Sequence, residues 1–288
     1  MVVVIFMAKV LAIDLDGTLF YPKKRVRMIP RKNVKFIRRF IDEGNKVVIC
    51  SGRNLPYAQK VIEKIDRPLD VIGCNSSFII SDNKIIHESM LTYPLVGKIV
   101  DELKEQFNIN AWLMMSKNQS LVIAGEMGFL KRWIYKLVYA CQGVYAEKYV
   151  ISNEVFDEEI KKGQVYKLMM FFGLGKKGKE KACEATKYLR KNYSDKIEAS
   201  WTDNFIEITA ANVSKSNGLL TYCDYLHLDH NDIYVVGDSG NDISMFQTFQ
   251  EHSFCMKHAS YKVKKFAKYH IDMVADIEDY LGGTNDDE

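Results

Sequence analysis

Residues 10–19 read VLAIDLDGTL, a short apolar run followed at once by two aspartates that stand two positions apart. A short, bounded apolar run is typical of a strand buried on both faces of a parallel sheet. Gly17 lets the chain turn away behind the strand without a Cβ penalty. Asp14 and Asp16 would then lie at the carboxyl end of a buried strand, where open α/β sheets bind their ligands. Two buried acids need a metal ion, a proton or a cation nearby. Capping the next helix would need only one acidic or hydroxyl side chain, so it does not explain the pair.

The same pattern recurs near the other end of the chain. Residues 233–242 read IYVVGDSGND, so a second apolar run delivers acids into a glycine-containing turn. A third apolar run precedes Ser51, and another precedes Lys215. Mg²⁺ prefers oxygen ligands, and phosphate oxygens accept hydrogen bonds from hydroxyl, ammonium and backbone N–H groups. These residue types therefore suit a divalent metal and a phosphoryl group.

These four stretches resemble the motifs of haloacid dehalogenase superfamily phosphatases, and within them the Cof-type, subclass IIB group. DLDGT at 14–18 matches the first motif, SGR at 51–53 the second, Lys215 in the setting VSK the third, and GDSGNDI at 237–243 the fourth. One motif alone would be a weak signal, but four in the right order are specific. The resemblance extends over essentially the whole chain.

The resemblance implies a role for each matching residue. Asp14 would be the nucleophile that forms an aspartyl-phosphate, and Asp16 would be the general acid and base. The implied phosphate-binding residues are Ser51, Gly52, Lys215 and Asn241, and the implied metal-site residues are Asp14, Asp16 (through its carbonyl), Asp238 and Asp242, the last acting from nearby. The implied cofactor is Mg²⁺. Its charge and that of Lys215 would offset the repulsion between an anionic nucleophile and an anionic phosphate.

Three positions depart from the family pattern. Ser216 follows the third-motif lysine, where glycine is frequent, and residues 74–77 read CNSS, where Asn-Gly is usual. His258-Ala259 stands where an Asn-Ala pair is common. None of these changes removes a group of the chemical core. His258 is either a contributor to the surroundings of the metal or a solvated, partly packed histidine.

The order of elements predicts the fold class. Strands and helices alternate from residue 9 to about residue 80, which favours a parallel sheet with helices on both faces. Strands and helices are then mixed, with a helix-rich aromatic stretch over 129–139, which favours an α+β insert. The expected fold is α/β, with a Rossmann-like doubly wound parallel sheet core formed by residues 1–85 and 210–288. The resemblance implies that residues 86–209 are an inserted α+β cap domain that sets substrate specificity.

Composition excludes several classes of function. The chain has 288 residues, with 40 basic and 37 acidic side chains, and its net charge of +3 gives no case for nucleic-acid binding. No segment is long and apolar enough for a membrane helix, and the apolar residues 1–7 are too short to span a bilayer. Met7 is an expected alternative to Met1 as the natural start, with the first six residues as an upstream extension. Six scattered cysteines without a CxxC pair favour reduced thiols and a cytoplasmic location.

The predicted substrates are small phosphorylated metabolites. Sugar phosphates come first, and phosphorylated cofactors such as pyridoxal phosphate or flavin mononucleotide come next. The protein is expected to act as a monomer or a weak homodimer. Two other functions stay open: a phosphomutase on sugar phosphates, and a non-catalytic regulatory protein that binds a phosphate ligand. The joint presence of Asp14, Asp16, Lys215 and Asp238 argues against the second, because drift would be expected to lose at least one of them.

Overall fold

The computed structural model describes residues 8–22, 28–125, 148–202 and 204–281. The chain divides into two compact units. The first comprises Met1–Arg53, Ala58–Ile86 and Ser214–Glu288, and the second comprises Asn54–Tyr57 and His87–Val213. The helix-rich stretch predicted over 129–139 lies outside the described residues. No helix within the described ranges has the length and apolar character needed to cross a membrane.

The amino-terminal part of the chain alternates strands and helices, as predicted. Its elements are β1 (Val10–Ile13), α1 (Arg31–Asp42), β2 (Lys46–Cys50), α2 (Leu55–Ile65), β3 (Asp70–Gly73), β4 (Phe78–Ser81) and β5 (Lys84–Glu88). All four residues of β1 are buried, which explains its uninterrupted apolar run. Helix α1 buries Phe36, Ile37 and Phe40 along one face and ends just before Gly44, whose φ is +90°.

The second unit is an α+β structure. Its elements are α3 (Leu95–Gln106), β6 (Ala111–Ser116), β7 (Val122–Ala124), β8 (Val150–Ile151), α4 (Asn153–Lys162), β9 (Val165–Phe171), α5 (Gly175–Tyr193), β10 (Ile197–Thr202) and β11 (Phe205–Ala210). The strands form a sheet in the order β10-β11-β9-β6-β7-β8. Its pairs are antiparallel except for β7 with β8. Side chains such as Trp112, Leu168 and Ile206 join the helices in one apolar core.

The chain then returns to the first unit and completes its sheet. The remaining elements are α6 (Lys215–Leu226), β12 (Ile233–Gly237), α7 (Ile243–Thr248), β13 (Ser253–Met256), α8 (Tyr261–Lys264) and β14 (Tyr269–Ile271). The strand order is β14-β13-β12-β1-β2-β3-β4-β5. The strands from β14 to β3 are parallel, and β4 runs antiparallel to β3. The predicted α/β fold with a parallel core sheet is confirmed.

Strand register explains how distant motifs meet. Ile13 at the end of β1 pairs with Val236 of β12 on one side and with Ile49 of β2 on the other. Because neighbouring parallel strands end at the same edge, the residues that follow them emerge together. The turn after β1 thus lies between Ser51, which follows β2, and Asp238, which follows β12.

Candidate active site

The turn after β1 brings the first motif against the fourth. Gly17 has a φ of +87°, and a Cβ atom there would lie 2.2 Å from Asp238 Oδ2. Only glycine therefore fits this position without displacing the aspartate. The next residue, Thr18, donates a hydrogen bond from Oγ1 to Asp238 Oδ1 over 3.1 Å. The sequence separation of 220 residues between these two side chains is closed by the pairing of β1 with β12.

A buried lysine joins two of the predicted acids. Lys215 is the first residue of α6, and its Nζ donates to Asp14 Oδ1 and to Asp242 Oδ1, each over 2.6 Å. Only 1% of Lys215 is exposed. Burial opposes the charge of this ammonium group, but Asp14 and Asp242 outweigh that effect and raise the pKa of Lys215. The lysine therefore stays charged inside the site.

Three acids could hold a metal ion together. Asp14, Asp238 and Asp242 each offer a carboxylate oxygen, and these oxygens lie within 4.8 Å of one another. Burial raises the pKa of Asp14 to about 8, against the attraction of Lys215 and with added repulsion from the other two acids. Burial and Asp242 also raise the pKa of Asp238. Carboxylate oxygens are hard donors, so the three carboxylates, with one ammonium group beside them, fit the predicted Mg²⁺.

The two acids of the fourth motif are not equivalent. Asp242 is fully buried, and its Oδ2 accepts hydrogen bonds from the backbone N–H groups of Asp238 (3.0 Å) and Ser239 (2.9 Å) and from Ser239 Oγ (3.0 Å). Its Oδ1 faces Lys215. A Cβ atom at Gly237 would lie 2.3 Å from Asp242 Cγ, so this residue also has to be small. These contacts favour Asp242 as a group that orients its neighbours, and its predicted role at the metal site stays a prediction.

Asp16 points to a different neighbour from Asp14. Arg53 donates from Nε to Asp16 Oδ2 over 2.7 Å, and the Asp16 side chain is 37% exposed. Ser51 is buried at the end of β2, and its Oγ accepts the backbone N–H of Arg53 over 3.2 Å. Half-buried Gly52 lies between them. The sequence included Arg53 in the second motif, but no site role was predicted for it.

Asn241, a predicted phosphate-binding residue, is exposed at the edge of the site. Its Nδ2 donates to Asn75 Oδ1 over 3.3 Å, and its Oδ1 lies 2.5 Å from Ser239 Oγ, whose one proton it shares with Asp242 Oδ2. The structure therefore brings Asn241 next to the turn after β3. Its predicted contact with phosphate stays a prediction.

His258 lies against the acid cluster. Its Nε2 is 3.4 Å from Asp238 Oδ2, and its ring stacks on that of Tyr21 with centroids 3.9 Å apart. Of the two interpretations that the sequence left open, this geometry favours a contribution to the surroundings of the metal. Tyr21 was not identified from the sequence, because nothing in its immediate neighbourhood signals a partner more than two hundred residues away.

Comparisons with known proteins identify the family and the fold. A family model described as haloacid dehalogenase-like hydrolase matches residues 11–278. The chain is 27% identical over 275 residues to the 5-amino-6-(5-phospho-D-ribitylamino)uracil phosphatase YwtE of Bacillus subtilis, an alignment that covers 89% of this chain and 90% of that protein.

Two solved structures share the fold. The structure of SMU.1108c from Streptococcus mutans has a TM-score of 0.78 at 18% identity, covering 96% of this chain and 100% of that one. The subclass IIB sugar phosphatase BT4131 has a TM-score of 0.73 at 19% identity, covering 96% of this chain and 99% of that one. At these identities, the likeness establishes the fold alone.

Proposed function

The chain belongs to the haloacid dehalogenase-like hydrolases, and we propose that it is a Mg²⁺-dependent phosphatase that cleaves small phosphomonoesters through an aspartyl-phosphate on Asp14. The observation that carries this proposal is the position of Lys215, whose buried ammonium group bridges Asp14 and Asp242 at 2.6 Å each. A permanent buried cation beside a carboxylate is what an attack by one anion on another requires.

The proposed reaction has two steps. In the first, an Asp14 carboxylate oxygen attacks phosphorus, the bond from phosphorus to the ester oxygen breaks, and Asp16 gives a proton to the leaving oxygen. In the second, water attacks phosphorus while Asp16 takes a proton from that water. The bond between Asp14 and phosphorus breaks, which regenerates the carboxylate and releases inorganic phosphate. Arg53 would orient the Asp16 carboxyl group through its hydrogen bond to Oδ2.

The remaining predicted residues would bind the phosphoryl group and the metal. Ser51, Gly52, Lys215 and Asn241 are proposed to contact phosphate oxygens. Asp14 and Asp238 would hold Mg²⁺ with the Asp16 carbonyl, and Asp242 would support them. When bound, Mg²⁺ supplies positive charge against the negative charge of the phosphoryl group in the transition state.

The relatives narrow the choice of first substrates. YwtE is named for a phosphate ester of a ribityl chain, and BT4131 is named a sugar phosphatase. Sugar and polyol phosphates are therefore the first substrates to test, followed by phosphorylated cofactors. We also propose that the second unit is the predicted cap and provides the contacts that select the substrate. The cytoplasmic location and the monomeric or weakly dimeric state remain predictions.

The test is hydrolysis of a panel of phosphomonoesters by wild type and by Asp14→Asn, with Mg²⁺ and with EDTA. Asparagine matches aspartate in shape but is a poor nucleophile, so the variant should lose the reaction while keeping the fold. We expect release of inorganic phosphate that requires Mg²⁺ and disappears in the variant. Isomerised sugar phosphate without inorganic phosphate, followed by ³¹P NMR, would instead identify a phosphomutase. Binding of phosphate esters without turnover would identify a regulatory protein.

A further inference from the structure

Each oxygen of the Asp238 carboxylate has a side-chain neighbour, Thr18 at Oδ1 and His258 at Oδ2. Oδ1 accepts the hydroxyl of Thr18 over 3.1 Å, and Oδ2 lies 3.4 Å from His258 Nε2. The backbone of Gly17 closes a third side, since a Cβ atom there would overlap Oδ2. A hydrogen bond to one oxygen alone would leave the carboxylate free to rotate about its Cβ–Cγ bond, whereas contacts at both oxygens define its plane.

The histidine is itself fixed by an aromatic neighbour. The rings of His258 and Tyr21 stack with an interplanar angle of 20°. Tyr21 is tied to the first-motif turn, because its backbone N–H donates to the carbonyl of Thr18 over 3.1 Å. One residue of the first motif and one just behind it thus act on the two oxygens of Asp238. Thr18 acts directly, and Tyr21 acts through the imidazole.

We propose that His258 is a positioning residue for Mg²⁺ binding, which keeps the Asp238 carboxylate in the orientation that the metal requires. This inference rests on the proposed function. A neutral imidazole can donate one N–H to a carboxylate, and residues that orient a metal ligand in this way affect metal affinity without touching the ion. The resembled family commonly has asparagine at this position. An imidazole places its Nε2 farther from the backbone than an asparagine amide does.

The test measures binding of Mg²⁺ alone to metal-stripped protein by isothermal titration calorimetry. His258→Leu removes the donor but keeps a side chain of similar size on Tyr21. His258→Gln restores an N–H donor at about the reach of Nε2. Tyr21→Leu leaves the imidazole but removes its support. His270→Leu is the matched control, because His270 is an exposed histidine of the same unit whose Nε2 contacts the carbonyl of Lys264 at 3.0 Å.

We expect His258→Leu and Tyr21→Leu to weaken Mg²⁺ binding by about 10- to 100-fold. His258→Gln should recover most of the affinity, and His270→Leu should match wild type. Thermal unfolding in EDTA is expected to change little across the series. With substrate present, the Mg²⁺ concentration for half-maximal activity should rise in His258→Leu while the KM for the ester at saturating Mg²⁺ stays constant.

Three results would overturn the inference. Equal Mg²⁺ affinity in wild type and His258→Leu would refute the role of His258 and leave the proposed phosphatase intact. Equal weakening in His258→Leu and His258→Gln would show that the volume of the ring matters and its donor does not. A folded wild-type protein that binds no Mg²⁺ would refute both this inference and the Mg²⁺-dependent reaction. If His258→Leu unfolds, the comparison of His258→Gln and Tyr21→Leu with wild type decides the question.

Discussion

Comparing Gly17, which lies at the site, with Gly44, which lies after α1, distinguishes backbone strain from steric overlap. Gly17 and Gly44 have nearly the same φ, +87° and +90°, so an alanine at either position would be forced into the same left-handed conformation. A Cβ atom at Gly44 would meet nothing within 4 Å. A Cβ atom at Gly17 would lie 2.2 Å from Asp238 Oδ2. The variants Gly17→Ala and Gly44→Ala therefore differ mainly in what the new methyl group touches.

The expected loss in the free energy of unfolding of each variant is the sum of the strain and the overlap. A left-handed alanine costs about 1–2 kcal/mol, which is the full loss expected for Gly44→Ala. At Gly17 the overlap must also be relieved, and Asp238 has little room because Thr18 holds its other oxygen. Overpacking of this kind adds about 1–3 kcal/mol, so Gly17→Ala should lose about 2–5 kcal/mol in total. A displacement of Asp238 by about 1 Å should also lower kcat/KM by about 100-fold.

Urea unfolding in EDTA measures the stability of both variants without a contribution from metal binding. The kcat/KM for an ester that wild type hydrolyses measures the effect on the site. Gly44→Ala should keep wild-type kcat/KM, and Gly17→Ala should not. Equal stability losses in the two variants, or full Mg²⁺-dependent activity in Gly17→Ala, would refute the argument that Gly17 makes room for Asp238.

Three further predictions concern charged groups of the site. Above about pH 8, where Asp14 is ionised, Lys215→Met leaves the Asp14 and Asp242 carboxylates buried without their cation, so urea unfolding in EDTA should show a loss of about 3–5 kcal/mol in the free energy of unfolding. An unchanged midpoint would contradict the ion pairs. Arg53→Leu releases the Asp16 carboxyl group, so steady-state kinetics should show kcat reduced by about 100-fold, with partial recovery in Arg53→Lys. An unchanged kcat in Arg53→Leu would show that the contact does not contribute to catalysis. Because burial raises the pKa of Asp14 to about 8, the folded protein keeps a proton that the unfolded chain has lost, and the free energy of unfolding in EDTA should fall from about pH 4 to about pH 8. Urea titrations at stepped pH check this prediction, and Asp14→Asn should flatten the profile.

The core sheet and its chemistry could be predicted because burial leaves a direct mark on sequence. Strands β1 and β12 are buried at every residue, so each appears as an unbroken apolar run. Polar residues directly after such runs then mark the edge where parallel strands end. Asp14, Ser51 and Asp238 were identified in this way, and the structure places them after three neighbouring strands.

Helix α4 shows why other elements were missed. Its sequence, NEVFDEEIKK, contains three apolar residues, and one of its inward positions is a glutamate. Glu159 is buried because Ser116 Oγ (2.6 Å) and Lys162 Nζ (2.6 Å) donate to its carboxylate. A charged residue whose burial depends on a partner outside the helix, here Ser116 of β6, breaks the apolar stripe that signals a helix. The pattern alone could not reveal it.

Contacts between distant residues limited the prediction of the site in the same way. Thr18 and Arg53 both lie inside motifs, yet their functions depend on Asp238 and Asp16, which are 220 and 37 residues away. A motif identifies which residues occur near the site. It does not identify which of them touch, because that depends on strand register and on the path of each turn.

The departure at Ser76 is compensated within the fold. Ser76 has a φ of +89°, a conformation that favours glycine, and it stands where the resembled family usually has glycine. Its Oγ donates to the carbonyl of Ser214 over 2.8 Å, directly before Lys215. Gly218 leaves room for it, since a Cβ atom there would lie 2.3 Å from Ser76 Cβ. The strained serine therefore helps to anchor the start of α6, which carries the lysine of the site.

The turn after β12 explains how two aspartates of one motif come to have different functions. Asp242 lies four residues after Asp238 and folds back to accept three hydrogen bonds from the start of the turn, so that its Oδ2 is committed to holding the backbone. These hydrogen bonds fix the backbone of Asp238, while Asp242 Oδ1 pairs with Lys215. Asp242 thus aligns a proposed metal ligand and the cation that faces Asp14 at the same time. Asp242→Asn would keep the shape but put an N–H donor at one of two positions that both require an acceptor. It should therefore break either the hydrogen bonds that hold the backbone of Asp238 and Ser239 or the pairing with Lys215, according to which way the amide is turned.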